Sequence, residues 1–363
     1  MPTKKTYNVL GIMNGTSIDA IDYCLIRGRE DFSQIRFLGH QQMSIPKNLR
    51  SRLLAAANNK LTTYDLSLLH YDLGELYEKQ IQQLPANWKW DLIGLHGQTV
   101  HHQGRRATLQ IGCPTSLHQV GPVVFDFRSA DIAQGGEGAP FAPFFQKQLG
   151  QIEGLKNFAF HNLGGISNLS YFNANHVVAF DTGPANILMD LWIQNKKNKA
   201  FDRNGIFASR GLPHPQIVRA MLKHPYFKRK PPKSCGREEF NLSFINEFGG
   251  IGFKKLSFED QMATLCELTA TSIASSYLKL CPQTPPVIYF YGGGVQNSYL
   301  MERIGFHLPD CEILNSEALG WPSQAFEGSL IAFLALARFL NRKVHLPQVT
   351  GAEQKVLLGS VYS

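Results

Sequence analysis

Two apolar runs broken by the same kind of turn, 150 residues apart, constrain this 363-residue chain more than any other feature. Tyr7 to Met13 is apolar, stops at Asn14-Gly15, and resumes as Ile18 to Ile26. Phe158-Ala159-Phe160 runs into Asn162-Leu163-Gly164-Gly165 and resumes as Ile166 to Phe172. Each is a strand–turn–strand pattern, and Gly15-Thr16-Ser17 stands 150 residues before Gly165-Ile166-Ser167. Two such turns at about a domain's spacing suggest a duplicated architecture, with chance similarity as the alternative.

The segments around the hairpins have the alternation of an α/β fold. Leu49–Ala57 and Leu61–Leu84 carry apolar residues at helical spacing. Asp91 to Leu95 and Val120 to Phe127 predict strands, as do Val177 to Phe180 and Val287 to Tyr291. Helices are expected from Ala185 to Asn195, Glu259 to Leu280 and Glu327 to Leu340. Strands alternating with helices through short loops argue for layered α/β units in both halves.

Composition excludes several classes. No apolar run reaches the roughly 20 residues that span a bilayer, and no signal peptide is evident, so a soluble cytoplasmic protein without membrane association is expected. The six cysteines form no CxxC pair, which reads as reduced thiols and not a zinc site. The formal charge of +8 lacks a basic stripe interleaved with aromatics, so no nucleic-acid partner is expected. The surplus suits anionic substrates.

Chemistry enters at the turns. A polyphosphate needs backbone N–H donors at close range, hydroxyls, and a carboxylate-held cation. Gly15-Thr16-Ser17 supplies the turn and hydroxyls, and Asp19 and Asp22 follow; the alternative is a plain hairpin. Gly292-Gly293-Gly294 ends an apolar strand, the sheet edge where α/β ligands bind. No Walker A motif is present, nor a G-x-G-x-x-G after the first strand. Asp181 stands at a strand end before Thr182-Gly183-Pro184, where it would act as a general base or cap the following helix. His96-Gly97-Gln98-Thr99 and Arg128, Asp131, Gln134 and Glu137 around Gly135 to Pro140 suit a polyol. Glu327 opens the last helix, either as a dipole-stabilised charge or as a group reaching a sugar hydroxyl.

Together these residues resemble the anhydro-N-acetylmuramic acid kinase family, of the hexokinase, actin and heat-shock ATPase superfamily. The carrying segments are 11–19, 96–99, 126–140, 162–168, 180–186, 231–238 and 292–297, with Glu327 in the final helix. The resemblance implies two duplicated actin-like (ribonuclease H-like) domains with an interdomain active-site cleft. The division expected is 1–135, with 344–363 available to complete it, and 136–343. It implies ATP and Mg2+, a small-molecule anhydro-sugar substrate and a homodimer. Asp181 would activate water against the anomeric carbon of 1,6-anhydro-N-acetylmuramic acid, and the freed O6 would attack the γ-phosphate.

By the same resemblance, Gly15, Thr16, Ser17, Ile18, Asp19, Ala20, Ile21 and Asp22 match the ATP phosphate loop. Asp19 is the choice for magnesium, with Asp22 as competitor. Gly164 and Gly165 would form a second phosphate turn, and Gly292, Gly293, Gly294 and Asn297 would border the nucleotide. His96, Gln98, Arg128 and Glu327 would contact the sugar. The chain departs from the family pattern at Asn14, Ala20, Ala185 and Cys235. An alanine at 20 or 185 would be strained if either site needed a positive φ. The rival readings are another sugar kinase of the superfamily, a nucleotide-driven chaperone-like or filament-forming protein, and a nonhydrolysing binding protein, for which the acidic residues give no motive.

Overall fold

A computed structural model describes residues 4–15, 18–174 and 176–363. Thr16 and Ser17, the expected phosphate-loop hydroxyls, lie outside the described residues. The chain divides into two compact units, Met1–Gly154 with Ala325–Ser363, and Leu155–Gln324.

The first unit holds a six-stranded sheet in the order Ser360–Tyr362, Val123–Phe125, Leu92–Leu95, Thr6–Asn14, Ala20–Arg29 and Ile35–Ser44. The last three form an antiparallel meander. Leu92–Leu95 and Val123–Phe125 continue parallel to Thr6–Asn14, and Ser360–Tyr362 closes that edge antiparallel. The second unit repeats the plan in five strands: His176–Pro184, Ile166–Asn173, Asn157–Leu163, Val287–Tyr291 and Glu312–Asn315. Again three antiparallel strands are followed by two parallel ones. The two hairpins read from sequence are the opening strand pairs of two sheets with one topology, so the α/β duplication is real.

Alternation along Thr6–Asn14 sets the layers. Leu10 and Ile12 join a buried cluster with Leu49 and Leu53 of helix Lys47–Ala57 and with Leu69, Leu73 and Tyr77 of helix Thr63–Ile81. Gly11, between them, faces helix Phe326–Phe339, where an added Cβ would lie 2.0 Å from the Gly328 carbonyl oxygen.

The unit boundary differs from the expected one. Residues 136–154 and 325–343 belong with the first unit rather than the second. Aromatic packing explains it: helix Ala142–Ile152 places Phe145 5.3 Å from the Phe326 ring and 5.4 Å from Phe333 of the last helix. Strand Ile35–Ser44, the hairpin Gln98–Gln103/Ala107–Ile111 and the helices Ala142–Ile152 and Leu242–Lys254 were not read from sequence. No described helix is long and apolar enough to cross a membrane.

Candidate active site

In the first unit the turn after Thr6–Asn14 is closed by the Ile18 N–H donating to the Gly15 carbonyl at 3.2 Å. Ile18 is buried at 2% exposure and sits at φ 55°. A β-branched residue in the left-handed region costs about 1–3 kcal/mol and marks a turn held by its surroundings. Arg50 holds that turn from outside, donating Nε to the Ile18 carbonyl at 2.9 Å and Nη2 to Asp19 at 2.6 Å. Asp19 is thus exposed and already ion-paired. Ala20 and Ile21 open the second strand, and Ala20 has no positive φ, so the feared strain is absent. Asp22 takes His40 at 2.7 Å and Gln42 at 3.1 Å on one carboxylate oxygen.

His96 follows strand Leu92–Leu95 and is buried. The Arg128 Nη2 donates to its Nε2 at 3.0 Å, so the ring proton sits on Nδ1, which donates to the Gly97 carbonyl at 2.8 Å. Burial, then the Arg128 charge, push the His96 pKa down to about 3, consistent with a neutral ring. Gln98 Nε2 reaches the Gly15 carbonyl at 3.5 Å and the Thr99 carbonyl at 3.3 Å, tying the turn to strand Gln98–Gln103. Glu327 lies in the first turn of its helix, where its side chain is exposed. Desolvation and then the Asp22 carboxylate raise its pKa, against the pull of Arg128.

The first unit therefore gathers Gly15, Asp22, His96, Gln98, Arg128 and Glu327, with Asp19 at the margin. Of the polar set read around Gly135 to Pro140, Asp131 is fully buried, Gln134 Oε1 accepts from Gln354 Nε2 at 2.8 Å and Glu137 pairs with Arg105 at 2.6 Å, leaving Arg128 for a ligand. Among the buried polar atoms of the described residues that have no hydrogen-bond partner, three fall in or beside this group: Asn14 Nδ2, Gln98 Oε1 and Arg128 Nε. Each such atom costs about 1–3 kcal/mol if left dry. Two donors and one acceptor are what a polyhydroxylated ligand can satisfy.

In the second unit Asp181 lies on strand His176–Pro184 at a bulge between Asp181 and Gly183. It does not cap the following helix, which begins at Ile187 after Asn186. One carboxylate oxygen accepts from Asn168 Nδ2 and the other from the Cys235 peptide N–H at 3.0 Å. Tyr226 Oη donates to the Asp181 carbonyl at 2.5 Å. Burial raises the Asp181 pKa, and the two hydrogen bonds with the Lys233 charge oppose it. Since a main-chain N–H makes the contact at 235, that bond does not depend on the cysteine side chain.

The glycine segments of this unit meet. Asn186 Nδ2 donates to the Leu163 and Gly164 carbonyls at 3.2 and 2.7 Å, and the Ala185 and Ile187 N–H groups donate to Gly165. Ala185 is buried without a positive φ, so it too is unstrained. Gly292 (φ 88°) and Gly294 pack on this turn, where a Cβ would come within 2.4 Å of Asn162 Oδ1 or 2.6 Å of Leu163 Cβ. Gly293 has open space beside it and lines a cavity of about 560 Å³ with Asn186, Asp190, Asp202 and Asn297. That volume falls in the small-ligand range. Asn297 also caps helix Ser298–His307 through Leu300 N–H at 3.0 Å.

A family model for anhydro-N-acetylmuramic acid kinase matches residues 7–363. The chain belongs to the anhydro-N-acetylmuramic acid kinase family. Curated relatives bearing that name include those of Picosynechococcus sp., 36% identical over 98% of this chain and 99% of its own. The Shewanella oneidensis protein is 37% identical over 98% of both chains, and that of Idiomarina loihiensis 38% over 97% of both.

Sequence reading missed Asp190 and Asp202 in this family member. Burial, then the Asp202 charge, push the Asp190 pKa up to about 7. Asp190 lies one helical turn beyond Asn186, a spacing that places both on one face. That was the available signal.

Proposed function

We propose that this chain is an ATP-dependent kinase that hydrolytically opens 1,6-anhydro-N-acetylmuramic acid and phosphorylates O6, giving N-acetylmuramic acid 6-phosphate and ADP. Beyond family membership, the observation carrying this reading is the Asp181 carboxylate. It is oriented by two neutral donors and its pKa is raised by burial, the environment of a general base.

Asp181 takes a proton from water as that oxygen bonds to C1, and the C1–O6 bond breaks. The released O6 bonds to the γ-phosphorus, and the bond to the β–γ bridging oxygen breaks with ADP as leaving group. The nucleophile of the second step is the leaving group of the first, already in place. His96, Gln98, Arg128 and Glu327 hold the sugar, and the unpaired Gln98 and Arg128 atoms support that role. The turns at Gly15–Asp22 and Gly164–Gly165 hold phosphates. Gly292–Gly294 and Asn297, beside the 560 Å³ cavity, hold the nucleoside.

Magnesium would be held through water by Asp19, which is exposed and pairs with Arg50 through one carboxylate oxygen, or by its competitor Asp22, which meets His40 and Gln42 through one of its own; bound there, it would offset phosphate charge. The reading includes a cytoplasmic homodimer, checked by sedimentation.

The test is incubation with ATP, magnesium and the anhydro-sugar in ¹⁸O-water, with product analysed before anomeric exchange. One label at C1 is expected, and unlabelled early product would end the ring-opening reading. Asp181→Asn is expected to fold, bind ATP and lose about 10²–10⁴-fold in kcat. Near-normal turnover would remove Asp181 as the base.

A further inference from the structure

Asp131 and His345 are both at 0% exposure and Thr350 is at 1%, and the mechanism above uses none of them. One Asp131 carboxylate oxygen accepts from His345 Nε2 and, at 2.6 Å, from Thr350 Oγ1. The other accepts from the Gly138 N–H at 2.6 Å. The His345 Nδ1 accepts from the Val356 N–H at 3.4 Å, which leaves Nε2 as the donating nitrogen. Main-chain bonds run alongside: Glu137 N–H to the Thr350 carbonyl and Glu353 N–H to the Gln134 carbonyl, each 2.8 Å. At Gly136 a Cβ would stand 2.2 Å from an Asp131 oxygen, so the loop wraps the carboxylate without room for a side chain.

The loop so fixed carries Arg128. The Gly138 carbonyl accepts from Arg128 Nη1 at 2.8 Å, the Phe141 ring centroid lies 5.5 Å from its guanidinium carbon, and Nη2 reaches His96. A guanidinium has a rigid fork of donors, so displacing one acceptor turns the whole plane. Buried charge-assisted hydrogen bonds are the strong ones, and a carboxylate satisfied by three donors has one geometry.

We propose that Asp131, His345 and Thr350 form a buried clamp through which residues 345–353 position Arg128, and thereby set the affinity for the sugar. This rests on the reading of Arg128 as a sugar contact. All three are positioning residues, since none is exposed to a ligand. The clamp acts on sugar binding and leaves ATP binding alone.

The test uses the full-length protein. Thr350→Val removes one donor at constant shape, and Thr350→Ser restores it. Expected for Val are faster amide hydrogen exchange in peptides covering 128–141, a sugar KM raised about 3- to 10-fold and an ATP KM within about twofold. Ser is expected to return all three to wild-type. If the Val variant does not fold, Asp131→Asn, which replaces an acceptor with a donor, is expected to show the same split. Unchanged exchange at 128–141 overturns the clamp, as does a parallel rise in both KM values. Faster exchange with an unchanged sugar KM overturns the coupling when Arg128→Ala does raise that KM. If Arg128→Ala leaves the sugar KM unchanged, the sugar-contact reading falls, and the inference with it.

Discussion

Asp181 needs both ionisation and basicity, and its neighbours set the balance. Burial raises its pKa, while Asn168 and the Cys235 N–H stabilise the charged form. A base must be deprotonated, so kcat/KM should fall as pH drops through a value above the ordinary carboxylate range. Asn168→Ala removes one stabilising donor, so the acid limb should move to higher pH. A pH profile of kcat/KM checks this, and an unmoved limb would belong to another group. The strand-end position made Asp181 legible in the sequence. Asn168, thirteen residues earlier, meets it only because two antiparallel strands pair Asp181 with Asn168 in register.

The last helix shows what elements can hide. Its unbroken apolar run made Phe326–Phe339 easy to read, yet its closeness to the sheet depends on single glycines. At Gly94 a Cβ would lie 2.7 Å from the Ile331 carbonyl oxygen and 2.8 Å from Ala335 Cβ. Gly94→Ala should cost about 1–3 kcal/mol or more by overpacking, or roughly 2–4 °C in Tm per kcal/mol. Gly293→Ala, with nothing within 4 Å, should leave Tm nearly unchanged and raise the ATP KM instead. Thermal scans and ATP titrations of the two variants separate packing from binding. Strand Ile35–Ser44 escaped notice because it pairs on one side only and is largely exposed, so it carries no strong apolar period.

At the scale of the molecule, the first unit is assembled from two pieces of chain and the second from one. A sheet lacking the helix that covers one face exposes apolar surface and cannot hold its fold. Residues 155–324 expressed alone should therefore unfold cooperatively, whereas 1–154 should aggregate until 325–363 are joined to it. Circular dichroism melts of the three polypeptides decide the matter. Equal folding of 1–154 alone would show that the final helix is dispensable to that unit.

The alternation of apolar runs, the paired turns and the polar residues at strand ends follow from local chemistry, so the duplicated α/β plan and most of the candidate site could be read from the chain. The return of residues 325–363, the clamp on Asp131 and the cavity beside Gly293 arise from contacts between residues remote in sequence. Such contacts leave no local period, because what selects each partner is the shape and charge of a neighbour that only the folded chain supplies.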